Sequence, residues 1–233
     1  MMCLHENHRP ILEFNDDTII SGVIPVSPEY QDSVYWGQEG LHVWLEGEIT
    51  NAEALGRFPF EKKHPAALLH GIFSRDNCNN ELAQLCGFFS SVIYDANRGK
   101  LHFMSGRFGL RHLFLYFRPD RLFWCAQQKG FLAIPDFNST LKSESIRKFL
   151  EYNYLPGDST WFQDVILVPP ASVITVDLLS GSMTSRRYWD WRRIEPSLQL
   201  DEDELVDRMH DAFQSGTDEC IFRVFKVLFE RTA

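Results

Sequence analysis

Apolar positions along this chain come mostly as short runs and alternations, with helical spacing confined to a few segments. His42-Val43-Trp44-Leu45-Glu46-Gly47-Glu48-Ile49 reads as a strand. Pro65, followed by Ala66, Ala67, Leu68, Leu69, Ile72 and Phe73, predicts a helix with proline in its first turn. A second short helix is expected over Asn80 to Leu85. The first 40 residues mix turn formers with short apolar runs, Thr18 to Ile24 and Val34 to Trp36, and predict short strands and loops.

The middle of the chain is β-rich. Phe88 to Tyr94 is an apolar strand, and Ala96-Asn97-Arg98-Gly99 supplies turn residues that let Lys100 to Met104 pair back on it. His112 to Phe117 and Arg121 to Cys125 form a similar pair about Pro119-Asp120. Apolar residues on both faces of such strands imply a sheet covered on both sides. That describes a sandwich with helices outside. Ser143 to Tyr152 predicts a helix with Ser143 as N-cap and Ile146, Phe149 and Leu150 on one face. Ser172 to Val176 and Met183 to Tyr188 predict a last hairpin about Ser180-Gly181. Asp201 to Phe213 is acidic, with Leu205, Met209 and Phe213 four apart, and Gly216 is expected to end this helix. A domain boundary is placed near Pro196, giving domains over 1–195 and 196–233, and the apolar stretch Ile221 to Phe229 completes the tail.

Length and charge narrow the functional classes. A chain of 233 residues can bury a core without metal or disulfide staples. Lys and Arg total 23 against 32 Asp and Glu, a net charge of -9 without a basic run, which argues against nucleic acid as a partner. Five cysteines (Cys3, Cys78, Cys86, Cys125, Cys220) with no CxxC pair favour reduced thiols in a cytoplasmic protein, with no disulfide framework and no metal site. The polar N-terminal segment is unlike a secretory signal, and no apolar run reaches the roughly 20 residues that cross a bilayer. A soluble protein without a membrane partner is expected.

Several segments, in order, resemble the asparagine synthetases and their class II glutamine amidotransferase domain. Leu45-Glu46-Gly47-Glu48-Ile49-Thr50-Asn51 resembles that family's Phe-Asn-Gly-Glu-Ile-Tyr-Asn stretch. Gly87-Phe88-Phe89 through Ile93-Tyr94-Asp95 resembles its Gly-Met-Phe…Ile-Trp-Asp strand. Arg107-Phe108-Gly109-Leu110 stands where Asp-Arg-Phe-Gly-Ile is expected, and Leu113 to Tyr116 follows as Pro-Leu-Tyr-Tyr. Leu122 to Ala133, Phe149 to Pro156, Val168-Pro169-Pro170 and Arg187-Tyr188-Trp189 continue the likeness, which runs from His42 to Trp191. It implies an α+β, N-terminal-nucleophile hydrolase fold: a four-layer αββα sandwich of two antiparallel sheets, here with a C-terminal helical tail.

Hydrolysing an amide needs a nucleophile, a base, an oxyanion hole and clamps for the substrate's charged end. In this family the nucleophile is an N-terminal cysteine whose own α-amino group relays the proton. Cys3 is the only candidate, but it follows Met1-Met2 and precedes Arg9-Pro10 by too few residues, so an incidental thiol is the competing reading. The oxyanion position, asparagine followed by glycine in the family, is Glu46 before Gly47. Loss of one such donor costs about 3 kcal/mol of transition-state stabilisation. Among the substrate-binding positions, Glu48 is kept where a carboxylate faces the glutamine α-amino group, and Asn51 and Arg107 also match. Each has a structural reading beside the functional one: a strand bend for Gly47, a tight turn for Gly109, and an ion-pair brace for Arg107. A second carboxylate is replaced by His64, after Lys63. The arginine that grips the α-carboxylate has no counterpart.

The resemblance therefore implies a pseudo-glutaminase scaffold of an amide ligase, paired with a separate synthetase subunit or with itself. An active glutaminase that supplies ammonia for asparagine synthesis, and a truncated gene product, stay open beside it. Glutamine would be a ligand if the site were active. No cofactor is expected in this chain. ATP and Mg belong to a synthetase domain whose Ser-Gly-Gly-x-Asp-Ser loop finds only Ser215-Gly216-Thr217-Asp218 here.

Overall fold

A computed structural model describes residues 11–23, 35–52, 55, 65–75, 79–194 and 201–229. The chain divides into two compact units, Met1–Asp190 and Trp191–Ala233.

The larger unit is built on a six-stranded antiparallel sheet. Its strands are β3 (Tyr35–Gln38), β4 (Leu41–Ile49), β5 (Gly87–Asp95), β6 (Lys100–Ser105), β10 (Ser172–Asp177) and β11 (Met183–Arg187), in spatial order β11-β10-β6-β5-β4-β3. β4 and β5 pair over nine residues without a slip, from Leu41↔Asp95 to Ile49↔Gly87. The turn after β5 spans Ala96 to Gly99, as the sequence predicts. Asp95 fixes it by accepting hydrogen bonds from the Arg98 backbone N–H and guanidinium, each at 3.0 Å. A three-stranded sheet, β8-β7-β9, comprises β7 (Phe114–Phe117), β8 (Leu122–Cys125) and β9 (Val165–Leu167). A separate hairpin pairs β1 (Ile11–Asn15) with β2 (Ile20–Val23).

Strand alternation sorts the side chains into three apolar clusters. Leu41, Val43, Leu45, Phe89, Ile93 and Val173 point to one face of the large sheet. There they meet Ala66, Leu68, Leu69 and Ile72 of helix α1 (Pro65–Phe73). Trp44, Val92, Tyr94, Phe103 and Ile174 point the other way, onto Leu113 and Leu115 at the start of the three-stranded sheet. Phe114 and Tyr116 project from the far side of that sheet onto Phe131, Phe162 and Val165. The order is helix, sheet, sheet, and then a thin outer layer.

That outer layer is thinner than the α1 side. Among the described residues it consists of a 3-10 helix (Gln128–Ala133) and an aromatic loop, with Phe137 seated 4.9 Å from Tyr116 and 5.1 Å from Phe162. The short helix after α1, here α2, covers only Asn79–Leu82, since Ala83 and Gln84 turn away toward β5. Helix α3 (Ser143–Tyr152) is tied to the loop before β9. Ser145 Oγ donates to the Thr160 carbonyl at 2.8 Å, and the Lys142 N–H donates to the Trp161 carbonyl at 2.9 Å. Its N-cap is Lys142 and not Ser143, and no side chain caps it. Phe149 rests on Trp161, yet Leu150 is 77% exposed, so the amphipathic face is largely uncovered.

In the smaller unit, helix α4 runs over Glu202–Phe229, through Gly216. A single helical glycine costs about 1 kcal/mol relative to alanine, which a helix of this length tolerates. Asp201 caps it, its Oδ1 accepting from the Glu204 N–H at 2.8 Å. Leu205, Met209 and Phe213 are exposed.

Candidate functional site

Where β4 ends and β5 begins, Glu46, Gly47, Phe88 and Arg111 come together. Glu46 opposes Ser90 and Gly47 opposes Phe89 in the ladder. Gly47 has φ +92°, and a Cβ there would strike the Phe88 carbonyl oxygen, with Arg111 Cγ only 3.1 Å away. Glycine is thus required by backbone geometry alone. Arg111, in the loop before β7, lies 4.0 Å from Glu46 Oε1 and 5.9 Å from the centre of the Phe88 ring. Both members of the pair are about half exposed, so it contributes at most about 1 kcal/mol.

Burial raises the Glu46 carboxyl above its usual pKa, and the Arg111 charge only partly offsets this. The Cys125 thiol, at the end of β8, is also raised, chiefly by burial. The Gln127 N–H opposes this rise, and the Glu46 charge adds to it. Glu46 therefore acts electrostatically across the gap between the two sheets. Cys125 is the opposite of an activated nucleophile. Nothing in the strand pattern signalled Arg111. A second arginine four residues after Arg107, beside a misplaced acid at Glu46, is the signal that could have found it.

Asn51 and Arg107 converge on a different feature, the 83–86 segment that leads into β5. Asn51 Nδ2 donates to the Gln84 carbonyl at 2.8 Å, and its Oδ1 accepts from the Cys86 N–H at 2.8 Å. Both ends of the amide are engaged. Arg107 donates through Nη2 to the Ala83 carbonyl at 2.6 Å and lies 5.4 Å over the Trp189 ring, while its buried Nε has no acceptor among the described residues. It braces this loop through a carbonyl and an indole, and among the described residues it forms no ion pair of the expected kind. Beside it, Tyr188 donates to the Ser105 carbonyl at 2.7 Å, and burial holds its phenol well above the usual pKa.

Gly109, with φ +64°, packs against Pro170. Glu48 is half-buried on β4, opposite Phe88. Cys3, Lys63 and His64 lie outside the described residues. Among the described residues no group of three His, Cys, Asp or Glu could hold a metal ion, and no helix is long and apolar enough to cross a membrane.

The two antiparallel sheets and the helix that covers them define an α+β domain. Residues 68–189 match the glutamine amidotransferase domain family, and the chain belongs to it. It is an N-terminal, class II glutamine amidotransferase domain related to asparagine synthetase. Asparagine synthetase [glutamine-hydrolyzing] 1 of Bacillus subtilis is 24% identical over 196 residues, which make up 81% of this chain and 29% of that protein. Amidase chry2 of Gibberella zeae is 22% identical over 174 residues, 72% of this chain and 25% of that protein. The chain thus spans under a third of the length of these relatives. Among solved structures, glutamine phosphoribosylpyrophosphate amidotransferase of B. subtilis, complexed with ADP and GMP, superposes with a TM-score of 0.47 at 14% identity. That match covers 72% of this chain and 34% of that one.

Proposed function

We propose that this domain has lost glutamine hydrolysis and serves as the scaffold half of an asparagine-synthetase-like amide ligase. The observation that carries this reading is Glu46. It stands where the resembling family places an amide side chain to donate to the oxyanion, and its carboxylate is half-buried next to Gly47. An ionised carboxylate repels a developing oxyanion, which inverts the usual stabilisation. Asn51 and Arg107 add to the case, since their polar atoms already hold the 83–86 segment.

A second reading draws on the same burial. A carboxyl kept protonated is a hydrogen-bond donor, so an active glutaminase built this way would gain rate as pH falls through the Glu46 pKa. The scaffold reading assigns amide-bond formation, with its ATP and Mg, to a synthetase partner of this chain in the cytoplasm. The two are separated by incubating the purified chain with 6-diazo-5-oxo-L-norleucine, which alkylates the thiol of a working glutaminase site. Intact mass is expected to show no adduct at pH 6 or pH 8. An adduct mapped to Cys3 would overturn the scaffold reading.

A further inference from the structure

At the other end of the three-stranded sheet, the β7–β8 turn, Ala133 of the 3-10 helix and the residues after it border an open hollow of about 420 Å³. Small-molecule pockets run from about 300 to 1,000 Å³. We propose that this hollow is a second ligand site, one that takes a free α-amino acid with an apolar or aromatic side chain.

Three kinds of wall meet there. Phe123, Ile134 and Pro135 give an apolar floor, and the Phe123 ring is held by stacking 6.0 Å from Tyr116. Arg118 and Arg121 supply two positive charges. Arg118 is fixed in place, donating to the Asp136 carbonyl at 2.9 Å and the Pro135 carbonyl at 3.4 Å, so it ties the turn to the opposite wall. Arg121 bonds Asp120 through Nε at 3.1 Å in an exposed pair, and its two Nη groups have no partner among the described residues. Such a pair contributes little and yields readily to a ligand carboxylate that meets the fork. Asp136 is the one acid among the lining residues, exposed and with a left-handed backbone, φ +59°.

This set selects by charge as well as shape. A carboxylate meets Arg121 within the field of Arg118, an ammonium meets Asp136, and a hydrocarbon side chain covers Phe123, Ile134 and Pro135. A lone amine faces two guanidiniums, and a dianion faces Asp136. The α-amino acid matches these groups when its carboxylate takes the place of Asp120 on Arg121. The hollow is also separate from the site at Glu46. The turn follows the Phe117↔Leu122 pair, whereas Cys125, which feels the Glu46 charge, pairs with Phe114 at the far end of the ladder.

Calorimetric titration of the full chain tests this with three probes: L-phenylalanine, 3-phenylpropanoate (no ammonium) and 2-phenylethylamine (no carboxylate). The expected result is saturable binding of L-phenylalanine, with each analogue weaker by about tenfold or more, the equivalent of one lost ionic contact. Arg121→Ala and Asp136→Asn, both at exposed positions, are expected to weaken L-phenylalanine by a similar factor without changing the melting temperature. Glu46→Gln is expected to leave binding unchanged. Absence of saturable binding, indifference to Arg121→Ala, loss on Glu46→Gln, or equal affinity for 3-phenylpropanoate would each overturn the assignment.

Discussion

His102, in the middle of β6, shows how one partly buried ring couples this sandwich to pH. Its Nδ1 shares a 2.8 Å hydrogen bond with Thr175 Oγ1 on β10, and its ring lies 5.2 Å from that of Phe73 on α1. Burial lowers its pKa to about 4; the Asp95 charge opposes this, and the Arg186, Lys100 and Arg98 charges add to it. A pKa depressed in the folded state means that the unfolded chain binds the proton more tightly. The contribution to stability is therefore complete above pH 6.5 and is lost as pH falls toward 4, by about 3 kcal/mol in all. His102→Asn, which cannot take up a proton, is expected to flatten the fall in melting temperature between pH 6.5 and 4. An unchanged slope would show that His102 is not the coupled group. At this scale the sequence revealed Gly47 and Gly109 as backbone positions, because only glycine suits their φ values. It did not reveal that Arg111 faces Glu46, since the two are 65 residues apart and only the β4–β5 pairing and the loop before β7 unite them.

Among the elements, burial separates two helices that look alike in sequence. α1 places Leu68 and Leu69 wholly inside the first cluster, whereas α3 leaves Leu150 77% exposed. Leu69→Ala is expected to lower unfolding free energy by about 2–5 kcal/mol in urea titration, and Leu150→Ala by no more than about 0.5 kcal/mol. Comparable losses would mean that α3 is covered in solution. Periodicity identified both helices and every hairpin of the central region, because alternation and turn residues are local signals. The 3-10 helix and the aromatic loop of the outer layer were not legible. Their burial depends on Phe131, Phe137 and Phe162 meeting from distant parts of the chain. The passage of α4 through Gly216 was missed for a related reason, since one glycine is a weaker stop than the helix-forming residues around it are a continuation.

For the whole molecule, the sandwich and the chemistry separate cleanly. The double sheet needs alternating apolar strands and a covering helix, all of which the chain has. In the proposed reading Glu46 stands where hydrolysis would call on a donor, while the Asn51 amide is engaged with Gln84 and Cys86. Family membership was accordingly readable from ordered strand segments, while the contacts of Asn51 and Arg107 with the 83–86 segment became visible only in the fold. The most direct measurement is glutamine-dependent ammonia release by the purified chain, in parallel with its Cys3→Ala variant, across pH 5.5 to 8.5. The predicted result is a rate equal to the enzyme-free background for both proteins at every pH. Saturable release by the unaltered chain that vanishes in Cys3→Ala would contradict it.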